Sequence, residues 1–169
     1  IAACVTIISA IFSYPIVYLL INVSERIRRL LFIVVLLPFW TSALVRTTAW
    51  IVILQRNGIL NDLLLSSGIT AEPISFVYNF SGVLIGMTHV MMPFIVFPLY
   101  ASYKDLDYSL IEAAESLGSK SLQITKRIIL PLTMPGVIAG SIIVFMSSIG
   151  YYITPALMGG PGQTMIAML

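Results

Sequence analysis

The residues of this 169-residue chain that could do chemistry are few and scattered. Acid–base or nucleophilic catalysis needs paired carboxylates or a Ser/His couple, and a metal centre needs several His, Cys, Asp or Glu at ligand spacing. The chain has one histidine, His89, and one cysteine, Cys4, each inside an apolar run, and no Asp or Glu falls in any long apolar segment. An enzyme acting inside a membrane is therefore disfavoured, and neither a disulfide framework nor a cysteine metal cluster can form. Cys4 reads as a small buried or lipid-facing residue. There is no G-x-x-x-x-G-K-[ST] phosphate loop. Gly159-Gly160-Pro161-Gly162 lacks the lysine and the following helix, so it reads as an external turn; no nucleotide or other cofactor is expected.

The stretch from Lys104 to Leu130 carries a pattern that asks for a purpose. Ser109 followed by Glu112 has capping-box spacing, so a short helix is expected to start there. Leu110, Ala113, Ala114 and Leu117 recur at helical steps as one apolar face, and Gly118 can take the left-handed conformation that ends a helix. A second helical segment follows Ser121, and Pro131 is placed to open the next helix. The pattern leaves two readings open: an amphipathic loop lying on lipid headgroups, or a docking site for a partner protein. The small pair Ala113-Ala114 favours close approach of a partner. Elsewhere, His89, Met91 and Met92, and further on Ser147, Ser148, Tyr151 and Tyr152, are the polar or soft groups expected to face a bundle interior. His89 is equally read as a histidine hydrogen-bonded between helices.

The elements that must position these residues are membrane helices. With 59% hydrophobic and 9% charged residues, against about 25% charged in soluble domains, the chain cannot clothe a core in polar side chains. A net charge of +2, concentrated in short loops, does not make a nucleic-acid surface. Crossing the hydrocarbon core takes about 20 mainly apolar residues, and spans are expected at about 1–23, 30–46, 82–103 and 131–153. Pro15, Pro93, Pro98 and Pro135 are expected to bend them, and Pro38 lies inside the second. An outer loop occupies about 47–81, with a short apolar helix near Ile59 to Leu65, and a cytoplasmic loop 104–130. Arg46, Trp40 and Trp50 suit a membrane interface. Arg26, Arg28 and Arg29, with Lys104, Lys120, Lys126 and Arg127, fall on one side, and only Arg46 and Arg56 on the other; the basic side is expected to be cytoplasmic. The chain begins at Ile1 within an apolar run, without Met or a basic leader, so it is expected to be an excerpt, truncated at both ends, with at least one more span beyond each.

The run Glu112-Ala113-Ala114, then Gly118, Ile128 and Leu130-Pro131, resembles the EAA loop of ABC importer permeases at every one of those positions. Pro38-Phe39-Trp40-Thr41-Ser42, Leu44-Val45-Arg46, Asn57-Gly58-Ile59-Leu60-Asn61 and Leu157-Met158-Gly159-Gly160 extend the resemblance. The chain is similar to type I importer permeases of the spermidine/putrescine family. The resemblance implies an all-α MetI-like transmembrane domain in a bacterial inner membrane, a transport subunit with no hydrolytic activity of its own. It implies as partners a pair of ABC ATPase subunits, a second permease subunit, an extracytoplasmic solute-binding protein and the lipid bilayer, and no nucleic acid. Glu112, Ala113, Ala114, Gly118, Ile128, Leu130 and Pro131 are the implied ATPase-coupling residues. His89, Met92, Ser147, Ser148 and Tyr151 remain candidates for the translocation path. A dedicated polycation site would be expected to show carboxylates and aromatic faces. No Asp or Glu lies in any of the four spans, so selectivity is expected to reside in the binding protein, with a polyamine as the expected solute. An importer for iron, sulfate or another small solute is the alternative; a stand-alone channel is disfavoured.

Overall fold

The computed structural model describes residues 1–160. Every regular element among them is helical, as a lipid-embedded chain requires if its backbone polar groups are to be satisfied internally. Helix α1 (Ala2–Asn22) runs unbroken through Pro15. After a short turn come α2 (Glu25–Trp40), α3 (Ala43–Leu54) and α4 (Ile59–Ser66). Then α5 (Phe80–Met91) and α6 (Pro93–Lys104) form a pair bent by 45° at Met92. The short α7 (Tyr108–Ser116) leads into α8 (Ser121–Gly150), and α9 (Ile153–Met158) closes the described chain. Helices α1 and α8 are each long and apolar enough to cross a membrane, as is the α5–α6 pair taken as one bent span.

The bend at Met92 is where Pro93 was expected to produce one: proline cannot donate to the helix ladder and crowds the preceding turn. The second span departs from the expected 30–46. Its helix starts at Glu25, so Arg26, Arg28 and Arg29 lie in its first turns and not in a loop. Glu25 pairs with Arg28 at 2.9 Å and with Arg29 at 3.4 Å, and Arg28 Nε donates to the Leu20 carbonyl at 2.9 Å, tying the α1 end to the α2 start. The helix then stops at Trp40, not Arg46. Thr41 and Ser42 are extended, and the chain turns by 107° into α3 and α4. At about 1.5 Å per residue, the 16 residues of α2 are short of the roughly 30 Å core. Residues expected to continue a span, or to lie in an outer loop, instead form α3, packed on α5 and α9. A buried hydrogen bond of 3.1 Å between the Thr47 and Thr154 hydroxyls fixes that contact.

The bundle is centred on α6 and α8 with α1 across both. In lipid there is little hydrophobic gain from helix association, so close packing and polar contacts must hold it. Gly136 and Gly140 supply the close approach. A Cβ at Gly136 would lie 2.5 Å from the Pro98 carbonyl oxygen, and one at Gly140 2.7 Å from the Ile95 Cα. On α1, Val5, Ser9, Ser13, Val17 and Leu20 form the buried stripe. The Tyr14 hydroxyl meets that of Thr133 at 2.6 Å, joining α1 to α8. Outward faces are apolar, with Ile11 on α1, Val34 on α2 and Met146 on α8 all more than half exposed.

Candidate functional site

The loop between α6 and α8 is built around α7. Its start is capped by Asp107, not by Ser109 as the capping-box spacing suggests. The Asp107 carboxylate accepts from the Ser109 amide at 2.9 Å, and Ser109 sits inside the first turn. Asp107 is extended and precedes the helix directly, which is the geometry that lets a short carboxylate reach an orphan amide. Hydrogen bonding from Ser109, its hydroxyl first and its amide second, holds the Asp107 carboxyl below the ordinary carboxylate range.

The apolar face expected of α7 divides in two. Ile111 and Ala114 pack on the bundle cluster that includes Tyr103, Ile124 and Ile129. Leu110 (46% exposed), Ala113 and Leu117 (87% exposed) face outward, and Glu112 is exposed with them. Ala113 and Ala114 are adjacent, so the roughly 100° step of a helix sends one out and one in. At the end of α7, Gly118 has φ +79°, and a Cβ there would meet nothing within 4 Å. The Ser119 amide reaches back to the Ala114 carbonyl at 3.0 Å, the long back-bond of a Schellman-type stop.

Beyond Gly118 the chain does not open a new helix at Pro131. One continuous helix runs from Ser121 to Gly150. A π turn over Thr125–Ile129, in which the Leu130 amide donates to the Thr125 carbonyl, comes just before the proline. Pro131 lacks an N–H, and widening the preceding turn lets the helix pass it without a break. Ile128 packs on the bundle cluster, while Leu130 and Pro131 are exposed.

The membrane-interior candidates do not gather in one place. His89 and Met92 line a cavity of about 310 Å³ with Trp50 and Thr88, and a second of about 150 Å³ with Pro38 and Pro93. Trp50 Nε1 donates to His89 Nδ1 at 3.2 Å, so the imidazole links α5 to α3. Ser147 and Tyr151 line a different cavity, of about 300 Å³, with Arg46, Met91 and Phe94. Ser148 is fully buried, and its hydroxyl and that of Tyr151 have no hydrogen-bond partner among the described residues. Tyr152 is exposed. Arg46, expected at an interface, lies in the Ser147–Tyr151 cavity and donates to the Pro38 carbonyl across the Thr41–Ser42 break. A lone cation in an apolar run was the available signal, since such residues tend to face a bundle interior. Trp40, by contrast, is 88% exposed.

Among the described residues no group of three or more His, Cys, Asp or Glu could hold a metal. The stretch 159–162, expected as an external turn, lies partly outside the described residues.

A membrane helix bundle with a short capped helix set on one end is the arrangement these residues build, and comparison with known proteins gives it a family. Residues 2–169 match the family of binding-protein-dependent transport system inner membrane components. The spermidine/putrescine transport system permease protein PotB of Escherichia coli (strain K12) is 38% identical over 95% of this chain and 58% of its own length. The protein of the same name from Salmonella typhimurium (strain LT2) is 38% identical over 95% of this chain and 56% of its own. That from Haemophilus influenzae is 39% identical over 92% and 54%. The chain spans about half the length of these relatives. With its helical bundle and its helix–glycine–helix loop, the chain belongs to the binding-protein-dependent transport system inner membrane component family, whose permeases have the MetI-like fold.

Proposed function

We propose that this chain is the core of a permease subunit of an ABC importer, forming part of a solute path and coupling it to ATP hydrolysis on a partner. The observation that carries this reading is α7. It is a short helix whose Leu110, Ala113 and Leu117 side chains are exposed while Ile111 and Ala114 hold it to the bundle. An apolar stripe of that kind on a charged loop suits a cleft on another protein, read as i, i+3, i+7 anchors. Residues 1–169 act as a single transmembrane domain, with the basic residues between Arg26 and Arg29 and between Lys104 and Arg127 on the cytoplasmic side.

In this reading α7 docks into a cleft on one subunit of a partner ATPase pair, whose closing on ATP moves the permease helices. Ala113 allows close approach, Glu112 offers a charge, Ala114 holds the helix to the bundle, Gly118 makes the turn toward α8, and Ile128, Leu130 and Pro131 lie in the early turns of α8 that take up its movement. His89, Met92, Ser147, Ser148 and Tyr151 contribute to the path, which is completed by a second permease subunit. The relatives' names favour putrescine or spermidine as solute, delivered by an extracytoplasmic binding protein. The chain itself performs no hydrolysis.

The test uses the full-length permease with its ATPase and binding protein in liposomes, measuring solute-stimulated ATPase across polyamines and other small solutes, wild type beside Gly118→Val. Valine at φ +79° is strained whatever the space around it, so stimulation is expected to be lost while membrane insertion persists. Stimulation by a solute other than a polyamine removes the polyamine assignment. A variant coupled like wild type removes the role given to the loop.

A further inference from the structure

A cavity of about 480 Å³ lies where α1, α6 and α7 end and α8 begins, and no part of the proposed path or of the α7 outer stripe lines it. Tyr18, Asn22, Tyr103, Tyr108, Glu115 and Ser121 are in its wall. Tyr18, Tyr103 and Tyr108 share this wall, so three phenol rings border one space. Asn22 Nδ2 donates to the Tyr18 carbonyl at 2.7 Å, which leaves its Oδ1 as an acceptor. Glu115 takes part in no ion pair among the described residues, where Glu25 with Arg28 and Arg29 accounts for the salt bridges.

The charge in this wall has one sign. Glu115 is the sole ionisable group besides the tyrosines, and none of Lys104, Lys120 and Lys126, each adjacent in sequence to a residue of the wall, lines the cavity. Asn22, Tyr103 and Glu115 each lie in the last turn of their helix, the end at which the backbone dipole is negative and cations are favoured. Ser121 at the start of α8 and Tyr108 at the start of α7 are the two termini of opposite sign, against three of cation-favouring sign and the Glu115 carboxylate. An inorganic divalent ion prefers a shell of six or more oxygens, several of them carboxylates. One carboxylate among three aromatic rings instead suits an alkylammonium, which gains from both the charge and the ring faces.

We propose that this cavity binds an organic ammonium ion, and that an amine held there braces α7 against the ends of α1 and α6. The inference rests on α7 being the coupling element. An amine released on the cytoplasmic side then restrains the element that must move for the next cycle, making the site a sensor of accumulated product.

Labelled putrescine is titrated into the full-length permease assembled with its ATPase in nanodiscs, without binding protein, and ATPase rate is followed in parallel. Saturable binding is expected, with the ATPase rate falling over the same concentration range. Glu115→Gln and Tyr108→Leu should each weaken binding by about tenfold or more, as losing an ion pair or a desolvated ring face implies, while Tyr108→Phe stays near wild type. Unsaturable binding, or the same affinity in wild type and both weakening variants, overturns the proposal. So does binding to the permease that disappears on adding the ATPase, because the cavity then receives a cationic side chain of that partner. Glu115-dependent binding in a permease that drives no uptake of any solute upholds the site and removes the coupling reading instead.

Discussion

Filling the α6–α8 contact should cost more than any other single-residue change on α8, and the reason is geometric. A Cβ at Gly136 falls 2.5 Å from both the Pro98 carbonyl oxygen and the Ser102 Oγ, about 0.9 Å inside the 3.4 Å at which ordinary contact begins. The Ser102 hydroxyl can rotate away; the Pro98 carbonyl is backbone and can yield only if the helices part. Valine adds two further methyl groups in the same direction. Overpacking of this kind costs about 1–3 kcal/mol, and the few tenths of a kcal/mol of helix propensity that valine regains over glycine do not offset it. Gly136→Val is therefore expected to shift the folding equilibrium by roughly 5- to 150-fold. Gly140→Val should act in the same direction, since its Cβ meets the Ile95 Cα at 2.7 Å. The control is on the same helix: nothing lies within 4 Å of a Cβ at Gly150, so Gly150→Val should be neutral. Reversible unfolding of the full-length protein in mixed micelles, followed by tryptophan fluorescence, measures all three. Equal stability of Gly136→Val and Gly150→Val would refute the close-approach argument.

Asn61 is fully buried and holds the Ile74 amide and carbonyl, each at 2.8 Å, and the Gln55 carbonyl at 3.1 Å. Asn61→Ala should cost about 1–3 kcal/mol by leaving buried backbone groups unpaired, visible as roughly 10- to 100-fold faster hydrogen exchange at Ile74; unchanged exchange there would exclude that role. Trp50→Phe removes the donor to His89 Nδ1. Nitrogen NMR should then show a single Nε2–H tautomer giving way to a mixture, whereas a mixture already present in wild type would count against the bond. Because the Asp107 carboxyl is held below its ordinary range, its cap is fully effective above the unfolded-state value and is lost as pH falls through the depressed one. The protection of α7 amides relative to their intrinsic exchange rates should therefore fall on acidification in wild type and be insensitive to that titration in Asp107→Asn, which can cap without ionising; identical pH profiles of protection would contradict the assignment.

What the sequence conveyed depended on whether one residue or a distant contact decided the outcome. Gly118 and Pro93 act locally: one relieves a positive φ, the other removes a ladder hydrogen bond, and both sit where the chain turns. The cap of α7 is also local but offered two candidates two residues apart. Ser109 with Glu112 matched a familiar spacing, and Asp107 prevailed because α6 ends at Lys104 and leaves it the residue entering the next helix. Ala113 and Ala114 looked equivalent until the bundle selected which side of α7 to hold. Arg46 was read as an interfacial cation because nothing in its own segment announces the break at Thr41–Ser42 that turns it back to Pro38. Gly136 and Gly140 went unread, because the backbone they admit is about 40 residues earlier in the chain, beyond the reach of any local pattern.

The π turn ahead of Pro131 has a mechanical meaning. It makes residues 121–150 a single rod, about 45 Å long at 1.5 Å per residue, with no joint between the surface loop and the interior of the bundle. The Gly136–Gly140 contact grips this rod near its middle, with some 20 Å on either side. A stiff rod held at its midpoint can do little but rock. On such a rod a small sideways push at Ser121 would reappear, reversed and at roughly half its size, beside Ser147, so that the two faces of the bundle move as the pans of one balance with unequal arms.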